Sequence, residues 1–131
     1  PDGVLRLSSA PADSPDALTA TFLSALYGEA ARGLLGEDSA HSRPVQDAAL
    51  YLSVSPYPFE LGVFRCVDED TARAVAALCR GRLDTLARGF RGSVYEVAAS
   101  GGRVTVEGNW VLLVLCEDPI PVSEAARRLL P

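Results

Sequence analysis

The sequence lacks lysine and methionine altogether. Its basic residues, 12 in number, are therefore all arginines. Arginine in place of every lysine, together with abundant alanine and glycine, indicates a GC-rich coding bias and carries no information about function. Because no methionine precedes Pro1, we expect the chain to be a trimmed product or part of a longer protein whose targeting segment is missing.

An excess of positive charge is also missing. The chain has 17 acidic residues and a net charge of −5 at pH 7, and its arginines are dispersed. Nucleic-acid binding requires a basic stripe, so no nucleic-acid partner is expected. The longest apolar run, the 7 residues Trp110–Cys116, is too short to cross a bilayer.

Catalytic and nucleotide-binding motifs are absent: there is no G-x-G-x-x-G, Walker, H-E-x-x-H or EF-hand pattern. The only histidine, His41, lies in the polar loop Gly36–Pro44. It could serve as a general base or ligand, but no nucleophile elbow surrounds the nearby Ser39 or Ser42, which favours a surface residue. We therefore predict no catalytic, cofactor-binding or metal-binding residues and no cofactor.

Cysteine is scarce, with three residues at positions 66, 79 and 116. Their spacing matches no zinc motif. Free cysteines most often behave as small buried apolar residues, and that is the prediction for Cys66, Cys79 and Cys116. A disulfide between Cys66 and Cys116 remains an alternative if their strands are neighbours, so the sequence leaves the redox state open.

What the chain does contain is an organising stretch from Phe59 to Cys116. At 131 residues and 48% apolar content, the chain is expected to form one globular domain. FELGVFRCV, from Phe59 to Val67, has apolar residues on both faces and predicts a strand inside a sheet. After the long helix, RVTVE and WVLLVLC flank Gly108-Asn109 and predict a hairpin with a type II′ turn and a buried final strand.

A long amphipathic helix is predicted between these strands. Asp68 occupies the N-cap position. The apolar stripe runs through Val75, Leu78, Cys79, Leu83, Leu86 and Phe90. Gly81 lies in the middle of this helix, where glycine costs stability, so we expect close packing there.

The remaining segments are predicted from local signals. Residues 1–14 are rich in Pro, Ser and Asp and are expected to form a flexible N-terminal segment, followed by a single domain over residues 15–131. Ser14-Pro15-Asp16 begins a helix, and Ala48–Ser55 alternates as a strand. Ser93–Ala99 fits either a short strand or a short helix. A last amphipathic helix follows Pro121.

The predicted fold class is α+β. We expect an antiparallel sheet of about four strands, one long helix across a face, and shorter terminal helices.

Three stretches carry a resemblance to a known family: ALYLSVS, then FELGVFRCVDEDTARAVAALCRGRLDTLARGF, then VTVEGNWVLLVLCED. They resemble the domain of unknown function 4358, which occurs in lipoproteins of Gram-positive gut bacteria. The resemblance covers about residues 47–118 and implies a short helix over Ser93–Ala99. It also implies an extracytoplasmic location in the cell envelope, with a lipid anchor upstream of Pro1 as the membrane contact. The sequence departs from the family in its lack of lysine and its cysteines.

The family has no assigned catalytic residues, so the resemblance implies a non-catalytic binding or adaptor module for a protein or small-molecule ligand. Two alternatives stay open. The chain could be a small hydrolase with an unrecognised site near His41 or the hairpin. It could also be a structural oligomerisation unit that pairs through an open sheet edge.

Overall fold

The computed structural model describes residues 4–8, 25–28, 44–53, 58–116, 124–125 and 128. Five strands and two complete helices lie in these ranges, and residues 25–27 and 124–125 are also helical. The elements are, in chain order, β1 (Val4–Ser8), β2 (Val45–Ser53), β3 (Glu60–Cys66), α1 (Glu69–Gly89), α2 (Glu96–Ala99), β4 (Arg103–Glu107) and β5 (Trp110–Leu115).

The strands form one antiparallel sheet in the order β1-β2-β3-β5-β4. The α+β class is confirmed, although the sheet has five strands where about four were expected. The additional strand is β1, which pairs with β2 from Val4 opposite Ser53 to Ser8 opposite Ala49. Residues 4–8 of the segment 1–14, for which the sequence predicted flexibility, form this strand.

The two middle strands follow the predicted patterns. β3 lies between β2 and β5, as apolar residues on both of its faces indicated. Every residue from Val111 to Leu115 is at most 1% exposed, which confirms that β5 is covered on both faces. Phe64 pairs with Val111, and both belong to the core on the side of α1.

Helix α1 begins as predicted. The Oδ1 atom of Asp68 accepts a hydrogen bond of 2.7 Å from the Thr71 amide. This bond favours the ionised carboxylate and lowers the pKa of Asp68. The fully buried helix residues, Ala72, Val75, Ala76 and Cys79, all lie in the N-terminal half of the helix. The small alanines let this half approach the sheet closely, whereas Leu83 and Leu86 are only partly buried.

The β4–β5 hairpin has the predicted turn. Gly108 has a φ of +60°, and Asn109 is not among the positive-φ residues, as a type II′ turn requires. The Nδ2 atom of Asn109 donates a hydrogen bond of 2.8 Å to the Cys66 carbonyl. The Cys66 amide in turn donates to the Asn109 carbonyl at 2.8 Å, so the turn is fastened to the end of β3.

The ambiguous segment Ser93–Ala99 contains the short helix α2, as the resemblance implied. The predicted strand Ala48–Ser55 is β2, which begins earlier, at Val45. Most of the two predicted terminal helices lies outside the described residues. No helix in the part of the chain that the structure describes is long and apolar enough to span a membrane.

Gly81 does not have the predicted close packing. It is exposed, and a Cβ atom added there would meet nothing within 4 Å. The close approach is instead at Gly102, where an added Cβ would lie 2.5 Å from Cδ2 of Leu83. The glycine that lets α1 approach β4 is therefore the one before the hairpin.

These two glycines give a matched stability test. Gly81→Ala should raise the free energy of unfolding by about 1 kcal/mol, because alanine is the better helix former and meets no neighbour. Gly102→Ala should lower it, because the Leu83 side chain must move. Urea denaturation of both variants measures the difference, and a destabilised Gly81→Ala variant would contradict the exposed position.

Candidate functional site

A carboxylate is buried in the core face of the sheet. Glu60 begins β3 and is 2% exposed, which makes it the buried acidic residue of the described chain. It shares a face with Phe64 and Cys66 because strand residues two apart point to the same side. An unpaired ionised carboxylate there would be strongly unfavourable, so its partners determine what the position can do.

Arg82 of α1 is the main partner of Glu60. Its Nη2 atom donates to Oε1 at 2.8 Å, and its Nε atom lies 3.2 Å from both carboxylate oxygens. The Arg82 side chain is only 16% exposed. The result is a forked charge-assisted contact between the long helix and the start of β3.

Tyr27 completes the group, which we call the Tyr27–Glu60–Arg82 cluster. Its hydroxyl donates a hydrogen bond of 2.9 Å to Oε2 of Glu60. Its ring packs edge-on against Phe64, with 6.0 Å between the ring centroids. Burial, reinforced by the negative charge of Glu60, raises the pKa of Tyr27 well above its usual value, so this phenol stays protonated as a donor.

The polar groups of this cluster form hydrogen bonds to one another and do not present a reactive group to a substrate. Both carboxylate oxygens of Glu60 accept hydrogen bonds from within the protein. A nucleophile or general base needs access to a substrate proton or carbon, and Glu60 is enclosed. The cluster therefore acts as a structural connection between β3, α1 and residue 27.

Two of the thiols are buried as predicted. Cys66 and Cys79 are each 0% exposed, and Cys116 is half-buried. All three are free. The alternative disulfide fails although β3 and β5 are neighbours. The antiparallel register places Cys66 near Trp110 and Cys116 near Glu60, at opposite ends of the pair, roughly 20 Å apart.

Burial also sets the ionisation of these thiols. Removal from water raises the pKa of Cys66 to about 11 and raises that of Cys79 further. The folded state therefore keeps protons that an unfolded cysteine releases. This contribution to stability is complete below the ordinary thiol pKa and is lost as the pH rises towards 11.

An open groove lies beside the C-terminal half of α1. It has a volume of about 430 Å³. The helix contributes Arg80, Leu83, Asp84 and Ala87. The other wall comes from Ala99, Ser100, Gly102 and Val104, at the end of α2 and the start of β4. Its size lies within the range of small-ligand sites, and its lining combines two opposite charges with apolar side chains.

A second hollow lies at the N-terminus of α1. Asp68, Glu69 and Asp70 line it, with Arg73 and Asn109. The helix start explains these acids. Asp68 is the N-cap, and Asp70 forms an ion pair with Arg73. We therefore treat the α1–β4 groove, and not this hollow, as the candidate site.

None of the described residues that line this groove was a functional candidate in the sequence. His41, Ser39 and Ser42 lie outside the described residues. Within the described ranges, no group of three His, Cys, Asp or Glu side chains is placed to hold a metal ion. Arg80 and Asp84 lie outside the apolar stripe that the sequence predicts for the helix, and both are exposed. No sequence pattern indicated that α2 and Gly102 would form an opposite wall.

No protein-family model matches the chain, and the comparisons with curated proteins and with solved structures found no significant match. The resemblance to the domain of unknown function 4358 therefore stays a prediction.

A carboxylate-to-amide change should separate buried from exposed ion pairs in this protein. Glu60→Gln removes the charge opposite Arg82 and should lower the free energy of unfolding by about 3–5 kcal/mol. Asp47→Asn is the matched control. Asp47 pairs with Arg65 on the surface, with side-chain exposures of 56% and 38%, and should cost less than about 1 kcal/mol. If urea denaturation shows the same loss of unfolding free energy for both variants, Glu60 and Arg82 do not form a buried ion pair.

Thiol labelling should distinguish the cysteines. With its pKa near 11, Cys66 has roughly one thousandth of its population as thiolate at pH 8. Native protein should therefore react rapidly with iodoacetamide only at Cys116, and at Cys66 and Cys79 after unfolding. Peptide mass spectrometry identifies the labelled sites. A rapid reaction that persists in a Cys116→Ser variant would show that the buried thiols are accessible.

Proposed function

We propose that the chain is a non-catalytic binding domain whose ligand site is the α1–β4 groove. The observation that carries this proposal is the groove itself, which brings Arg80 and Asp84 to an open space of about 430 Å³ that apolar residues such as Leu83 and Val104 also line. Its volume is in the range of small-ligand sites, and its charged groups can orient a ligand.

The groove chemistry favours a ligand that carries both charges. Arg80 and Asp84 are one helical turn apart and lie on the same side of α1. Arginine binds a carboxylate or phosphate by charge-assisted hydrogen bonds, and aspartate accepts from an ammonium group or amide. An amino acid or short peptide offers both groups, with an apolar side chain for Leu83 and Val104.

The location belongs to the proposal as well. The resemblance to envelope lipoproteins supports an extracytoplasmic domain with a lipid anchor on a longer protein. Capture of small polar ligands at the cell surface requires a tethered domain but no catalytic group.

A titration followed by NMR tests the binding function. Amino acids and dipeptides should shift the amide resonances of residues 80–87 and 99–104 in one set. Arg80→Ala and Asp84→Ala should each weaken binding about tenfold or more, because each removes one charge-assisted contact. Arg91→Ala, an exposed charge outside the groove, is the matched control and should bind as the wild type does.

Two results would contradict the proposal. Shifts that map away from the groove, or that survive both groove variants, would exclude this ligand site. Ligand that is recovered chemically changed after incubation, as judged by mass spectrometry, would show that the domain is an enzyme.

A further inference from the structure

Strand β4 is an edge of the described sheet. It pairs with β5 on one side through a regular register from Arg103 opposite Val114 to Glu107 opposite Trp110. No strand of the described residues lies on its other side. β4 contains no proline, and its pairing shows no bulge, although both are common devices that protect an edge.

The hairpin decides which backbone groups of β4 face outward. In a two-residue hairpin the closing pair, here Glu107 and Trp110, is hydrogen-bonded. Alternation then directs the amides and carbonyls of Arg103, Thr105 and Glu107 towards β5. The amides and carbonyls of Val104 and Val106 point outward from the edge of the sheet, on the side opposite β5. Val106 is also 36% exposed and is one of four exposed large apolar residues in the described ranges.

We propose that β4 pairs antiparallel with β4 of a second copy of this chain, across a two-fold axis at Thr105. In this register Val104 lies opposite Val106 of the second copy, and Val106 lies opposite Val104 of the second copy. Both are hydrogen-bonded pairs, because these residues direct their backbone groups outward. The two sheets become continuous, and both α1 helices lie on the same side of the joined sheet.

The sequence of β4 is self-complementary in charge. RVTVE places Arg103 opposite Glu107 of the second copy, and Glu107 opposite Arg103. Both pairs are of the non-hydrogen-bonded type, in which side chains approach closely. A carboxylate accepts several hydrogen bonds, so Glu107 can form this pair in addition to its contacts within the chain.

The other edge lacks this complementarity. β1 has the sequence VLRLS, with Arg6 at its centre. This strand contains no acidic residue, so its sequence offers no opposite charge to the same strand of a second copy. Self-association is therefore directed to β4. The inference goes beyond the binding function and does not depend on it.

Hydrogen exchange tests the interface in the wild-type chain. As the protein concentration rises, the Val104 and Val106 amides should become protected together. The Thr105 amide, which bonds to β5 within one chain, should be protected at every concentration. Analytical ultracentrifugation over the same range should show a monomer–dimer equilibrium.

Charge exchange tests the register. Arg103→Glu and Glu107→Arg each place like charges in both pairs and should weaken the dimer about tenfold or more. An equimolar mixture of the two variants restores opposite charges in every pair and should form a heterodimer. Arg91→Glu carries the same charge change in the exposed turn after α1 and should leave dimerisation unchanged.

A wild-type chain that stays monomeric at about millimolar concentration, with no concentration-dependent protection of Val104 and Val106, overturns the interface. A mixture of folded variants that remains monomeric overturns the charge register. If a variant fails to fold, the hydrogen-exchange comparison in the wild type still decides.

Discussion

The ion pair between Glu60 and Arg82 is the contact on which the rest of the structure depends. A carboxylate that is 2% exposed needs a full set of partners. One partner is Arg82, on the long helix. The other is Tyr27, which lies 33 residues before Glu60 in the sequence. The correct register of β3 and the correct position of α1 are therefore required at the same time.

Helix α1 divides the molecule into a packed half and an open half. Its first turns place Ala72, Ala76 and Cys79 in the core against the sheet. Arg82 then fixes the helix over the start of β3, and the residues after Cys79 no longer pack completely. Arg80 and Asp84 are left beside α2 and Gly102, where the groove forms. The candidate binding site is thus a consequence of where tight packing ends.

Local patterns in the sequence predicted most of the described elements. The Asp68 cap, the Gly108-Asn109 turn and the uninterrupted apolar run of β5 each depend on neighbouring residues, and each is confirmed. The strand β1 was missed because its pairing partner lies more than forty residues away in sequence and its Pro- and Ser-rich surroundings indicate flexibility.

The Tyr27–Glu60–Arg82 cluster escaped prediction for the same physical reason. An acidic residue at the start of a strand resembles a solvated end, and Arg82 lies outside the apolar stripe that the sequence predicts for the helix. One signal was available. Glu60 shares the face of Phe64 and Cys66 by two-residue alternation, which predicts burial. Tertiary contacts determine which cation neutralises Glu60, and local sequence patterns do not reveal it. The groove between α1 and β4 also forms only through tertiary contacts, so it could not be predicted either.

A double-mutant cycle between Glu60→Gln and Arg82→Met measures the central contact most directly. The free energies of unfolding come from urea denaturation of the wild type, both single variants and the double variant. If the ion pair holds α1 on the sheet, we expect a coupling energy of about 2 kcal/mol or more. The double variant should then lose less unfolding free energy than the two single variants lose together. Losses that add within about 0.5 kcal/mol would show that Glu60 and Arg82 act independently and would contradict this account.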